Sequence, residues 1–80
     1  MSPSEIEQMI SAGMPGSQVT VSGDGSKFEA VVVSPEFAGL GPVKRHQLVY
    51  KMVGDQITSG AIHALTIRAY TPEEWAASQG

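Results

Sequence analysis

The chain has 80 residues, 41% of them hydrophobic, with eight carboxylates against five lysines and arginines, a net charge of −3 and no cysteine. That length suits one small core and no second domain, and apolar residues scattered in short runs exclude both a disordered tail and a coiled coil. The missing thiols exclude a disulfide framework, a thiolate nucleophile and a self-contained cysteine-ligated metal site. The negative balance gives no overall pull toward nucleic acid or an anionic membrane.

No apolar run approaches the roughly 20 residues that span a bilayer. The start, Met1-Ser2-Pro3-Ser4-Glu5, lacks the basic flank and apolar stretch of a secretory signal, so a cytoplasmic protein is expected.

Ser2, Pro3 and Glu5 form a Ser-x-x-Glu capping box with proline in the first turn, which predicts a helix whose core face is Ile6, Met9 and Ile10. Gly13 and Pro15-Gly16 are its predicted stop. Val19 and Val21 alternate with polar residues in a first strand, Gly23-Asp24-Gly25-Ser26 is a turn cluster, and residues 28–34 resume as a second strand, so a β-hairpin is predicted. The run Val31-Val32-Val33 predicts cover on both faces at the end of that strand.

Phe37 lies in a short turn, and Gly39-Leu40-Gly41-Pro42 is a compact loop with proline where a helix would begin. Leu48, Val49, Met52 and Val53 then give a helical core stripe, with Gly54 its predicted end and a separate short helical turn over residues 55–59. Leu65, Ile67 and Ala69 alternate with Thr66, Arg68 and Tyr70 in a third strand. Thr71-Pro72-Glu73-Glu74 is a second capping box, opening a last short helix that carries Trp75 and is expected to fray over residues 76–80.

A single α+β domain over residues 1–80 follows, in the order α-β-β-α-(α)-β-α. A hairpin followed by a helical crossover requires a three-stranded mixed sheet, with the helices packed mainly on one face.

Little in this order is self-sufficient chemistry. There is no Gly-x-Ser-x-Gly elbow, phosphate-binding glycine loop or His-Glu-x-x-His helix, and the carboxylate pairs Glu5 with Glu7 and Glu73 with Glu74 sit at helix starts, where they favour the dipole. His63 lies just before the third strand, flanked by Ile62, Ala64 and Leu65. It reads either as a partly buried imidazole bonded to backbone or as one ligand of a metal shared with a second protein, because imidazole can replace cysteine on an iron. His46, inside the main helix, reads as a packing or helix-surface residue.

Lys44, Arg45 and Lys51 beside the loop Gly39-Leu40-Gly41 form a small basic patch, read either as a solvated helix face or as a contact for nucleic-acid phosphates. Tyr70 and Trp75 read as local core and staple residues rather than as a base-stacking platform.

Residues 28–34 (FEAVVVS), Phe37-Ala38-Gly39, residues 43–50 (VKRHQLVY), Ile62-His63-Ala64-Leu65 and residues 70–75 (YTPEEW) resemble the BolA family, and the short N-terminal helix fits its IbaG-like branch. The resemblance implies a class II KH-like fold and a non-enzymatic adaptor that binds a monothiol glutaredoxin and shares a [2Fe–2S] cluster with it. It implies His63 as a cluster ligand. In many relatives a histidine or cysteine in the hairpin region adds a second, where this chain has Lys27. The cluster would then be held here by one ligand, by a replacement, or more weakly.

The docking face is expected around the hairpin loop and the start of the main helix. The family's link to DNA binding and transcriptional control gives the alternative, a regulator using Lys44, Arg45 and the glycine loop. With Lys27, Gly39, Gly41, His46 and Lys51 these complete the candidate surface for a partner or nucleic acid. Weak homodimerisation is left open.

Overall fold

The structure is a computed structural model that describes residues 1–25 and 27–79. Helix α1 spans Pro3–Gly13 and opens on the predicted capping box: the Ser2 hydroxyl accepts from the Glu5 amide at 3.2 Å and Glu5 Oε1 accepts from the Ser2 amide at 3.0 Å. Strands β1 (Gln18–Asp24) and β2 (Lys27–Val33) pair antiparallel out to Asp24 and Lys27, leaving only positions 25 and 26 between them. Gly25 takes φ 66°, the left-handed region the predicted turn needs, and Ser26 of that cluster lies outside the described residues.

A single 3-10 turn, Pro35–Phe37, leads into helix α2 (Pro42–Ser59), and strand β3 (Ala64–Tyr70) returns parallel to β2. Helix α3 spans Pro72–Gln79. The sheet order is β1-β2-β3, with β2 central, as a hairpin plus helical crossover demands. This is the predicted mixed sheet, and the order is compatible with the class II KH-like arrangement.

Period-two alternation sorts the sheet faces. Val19, Val21, Phe28, Ala30, Val32, Leu65, Ile67 and Ala69 face α1 and α2, whose Ile6, Ile10, Val49 and Val53 close the core together with Met14, Phe37 and Ile62. Helix α1 packs over β1 and α2 over β3. Val33 belongs to the opposite face and is nevertheless buried, because Trp75 of α3 packs against Tyr70, the residue paired with Val33, with ring centroids 5.2 Å apart. The expected cover on both faces is therefore present at the end of β2.

Two expectations change. Helix α2 passes through Gly54 and ends at Gly60, so the short helix over residues 55–59 is the last turn of α2. Gly54 has no left-handed φ, and an interior glycine costs only about 1 kcal/mol; Gly60 at φ 84° supplies the left-handed residue that stops a helix.

Helix α1 ends at Gly13, as predicted, with no left-handed φ at that residue; the left-handed residue follows at Gly16, φ 83°. Residues 76–79, expected to fray, complete the last turn of α3, and Gly80 lies outside the described residues.

Candidate functional site

The connection from α2 to β3 is held by backbone. The Ile62 amide donates to the Gln56 carbonyl at 3.1 Å, and the Ile62 side chain is buried in the core. With Ile62 turned inward, His63 is turned out: it is exposed, and no hydrogen bond to its ring occurs among the described residues. The reading of a partly buried imidazole bonded to backbone therefore does not hold.

Ala64, the next residue, pairs with Lys27 across the parallel ladder, so His63 sits at the hairpin end of the sheet beside the start of β2. Lys27 is exposed there. Among the described residues no group of three histidines or carboxylates converges as a metal site, and what this end offers is one accessible imidazole.

The basic residues lie elsewhere. Because α2 runs back against the direction of β2 and β3, its first turn lies at the end of the sheet where both strands finish. Lys44 and Ser59 are 15 residues apart on one helix, about 22 Å of axial rise. The hairpin loop and the start of α2 are thus at opposite ends of the molecule and cannot form the single docking face expected of them.

Arg45 is committed to the fold. Its Nε donates to the Leu40 carbonyl at 2.8 Å and its Nη1 to the Ala69 carbonyl at 3.2 Å, while Nη1 and Nη2 reach the two Glu74 oxygens at 2.6 and 3.1 Å. The guanidinium also lies 5.8 Å from the centre of the Phe37 ring. Glu74 in turn accepts from the Thr71 amide at 2.9 Å, and Thr71 Oγ1 accepts from the Glu74 amide at 3.2 Å, so the predicted capping box of α3 is tied to α2.

The bidentate Arg45 contact, followed by the Thr71 amide, holds the Glu74 carboxyl at about 2, and the same contact raises Arg45. Lys44 and Lys51 remain exposed, His46 is half-buried on α2, and Gly39 and Gly41 are exposed in the loop, Gly39 with φ 80°. An arginine with these partners is not available to phosphate, which removes the strongest member of the predicted patch.

At this same end a cleft of about 230 Å³ lies among Gly16, Gln18, Val33, Pro35, Pro72 and Trp75. Its lining carries no titratable or nucleophilic side chain. Sequence periodicity assigns no role to Tyr50. The structure gives it one, for its hydroxyl donates to the Leu65 carbonyl at 3.1 Å.

The sequence profile described as BolA-like protein matches residues 5–74. The chain belongs to the BolA-like family. Over 76 residues it is 41% identical to the acid stress protein IbaG of Escherichia coli K12, a match covering 95% of this chain and 90% of that one. A BolA homologue from Coxiella burnetii has a solved structure that superposes with a TM-score of 0.85 at 42% identity, covering 95% of this chain and 97% of the other.

A further relative, from Vibrio cholerae, bears the name DNA-binding transcriptional regulator BolA; it is 49% identical over 53 residues, 66% of this chain and 49% of that protein. The family assignment agrees with the resemblance read from the sequence, and the solved fold agrees with the order of elements.

Proposed function

We propose that this BolA-like protein is a non-enzymatic adaptor that docks a monothiol glutaredoxin through the hairpin end of its sheet and shares a [2Fe–2S] cluster with it through His63. The observation that carries the reading is the state of His63: an exposed imidazole, free of hydrogen bonds among the described residues, on a connection whose neighbour Ile62 is anchored in the core.

Such a residue fits half of a cluster site and no more. Thiolates from the partner would supply the remaining ligands, since this chain has no cysteine. A bound cluster supplies an iron to which an imidazole can coordinate. What this chain contributes is an accessible ring nitrogen, a rigid anchor at Ile62, and a lysine, Lys27, at the neighbouring start of β2. The experiment is titration of the protein into cluster-loaded glutaredoxin, read by visible absorption and circular dichroism. The spectrum is expected to change with the wild-type protein and to lose most of that change with His63→Ala; identical spectra for both sink the assignment of His63.

The name of the Vibrio cholerae relative favours a second reading, a regulator that binds DNA. Here its free cations would be Lys44 and Lys51, with Arg45 withheld by Glu74. Binding should weaken steeply with salt and with Lys44→Ala and Lys51→Ala together. No binding to any duplex at low salt ends this reading.

A further inference from the structure

Lys27 opens β2 with an exposed side chain. The ion pairs among the described residues are Arg45 with Glu74 and Arg68 with Glu29, and Lys27 is in neither, although Asp24 stands opposite it on β1. The strand register places this unpaired cation. Lys27 pairs with Ala64 across the β2–β3 ladder, and His63 is the residue before Ala64. Neighbouring strands lie about 4.8 Å apart and successive Cα atoms about 3.8 Å, so the Cα atoms of Lys27 and His63 are within about 9 Å.

The carboxylates at this end are set farther round. Asp24 is on β1, with β2 between it and β3. Glu5 bonds the Ser2 amide at the start of α1, which packs over β1. Asp55 is exposed on α2, five residues after Tyr50 and so about 140° round the helix from the side that meets β3. Lys27 is therefore the unpaired charge nearest His63 in the register. Pairing of β1 with β2 out to Asp24 and Lys27 fixes its backbone, while its flexible stem lets the ammonium settle beside an anion.

We propose that Lys27 is the charge partner of the shared cluster: its ammonium attracts the anionic cluster and favours the reduced form over the oxidised one. This rests on cluster sharing through His63. Three thiolates and one neutral imidazole leave an oxidised [2Fe–2S] core with one net negative charge, and reduction by one electron adds a second. A nearby cation interacts more strongly with the more negative state, so it raises the reduction potential. Lys27 acts here as a charge and not as a ligand, because an ammonium has no lone pair to give an iron.

The test is a redox titration of the full chain in complex with cluster-loaded monothiol glutaredoxin. Dithionite supplies the electron, visible absorption reads the fraction reduced, and amide spectra confirm that each variant is folded. Lys27→Gln is expected to shift the reduction equilibrium about threefold to tenfold toward the oxidised cluster, and Lys27→Glu further in the same direction. Lys27→Arg should leave both spectrum and midpoint as in the wild type. The Gln and Glu shifts should shrink in high salt.

A midpoint indifferent to Lys27→Gln and Lys27→Glu overturns the assignment of Lys27 while sharing through His63 stands. So does a midpoint moved alike by Gln and Arg, or a spectrum lost with Lys27→Arg, which would make Lys27 a ligand. Failure of the wild-type protein to change the partner's spectrum at all overturns the sharing and the assignment together.

Discussion

The guanidinium of Arg45 touches the Leu40 carbonyl, the end of β3 and the start of α3 at once, with only 14% of its side chain exposed. In the sequence it is one of three basic residues near a glycine loop; in the fold it joins four segments. Its partner Glu74 gives the pH dependence. The carboxyl is held at about 2, below its ordinary value of 4.5, chiefly by Arg45. A carboxylate whose folded value lies below its unfolded one stabilises the fold above the unfolded value, and that contribution is lost as pH falls through the folded value. Thermal unfolding followed down in pH should therefore show the wild type losing more stability than Glu74→Gln between about 4.5 and about 2. Equal losses in that window count against the bridge. Phe37, fully buried beneath Arg45, anchors the loop before α2, and Phe37→Ala is expected to lower stability by about 3–5 kcal/mol in urea unfolding.

The glycines separate the elements by backbone geometry. Gly54 sits inside α2 with nothing within 4 Å of where a Cβ would stand, so Gly54→Ala removes unfolded-state freedom without a clash. A gain of about 0.5–1 kcal/mol in urea unfolding is expected. Gly23 is the reverse case, at φ 144° with its missing Cβ aimed at the Lys27 carbonyl oxygen. Gly23→Ala should lower stability by about 1–3 kcal/mol in the same measurement and disturb the hairpin that places Lys27 beside the His63 connection. The capping boxes of α1 and α3 were legible because they are local: four residues of sequence contain both donors and both acceptors. The end of α2 was not, since Gly54 and Gly60 are the same residue type and differ only in the φ that the completed chain imposes.

The whole molecule is 34 Å in its longest dimension, and its length separates two surfaces that the sequence places side by side. Residues 25, 27 and 60–64 lie at one end, and residues 39–45 at the other. If His63 shares a cluster with a glutaredoxin, amide signals of the first group should shift or broaden on adding the loaded partner, while those of residues 39–45 stay in place. Equal perturbation at both ends would show a docking face that wraps the molecule.

By itself the sequence determined the elements apart from the end of α2, the mixed sheet, the inward faces of the strands and the family, because alternation, capping and turn chemistry are written within a few neighbouring residues. It also singled out His63 as a residue to test. Only the tertiary structure decided that the His63 ring faces solvent, that Arg45 is spent on Glu74, and that the hairpin loop and the start of α2 are far apart. Each of these depends on which end of the sheet an element reaches. That follows from the parallel return of β3 after an 18-residue helix, a relation between residues distant in the chain that no local pattern contains.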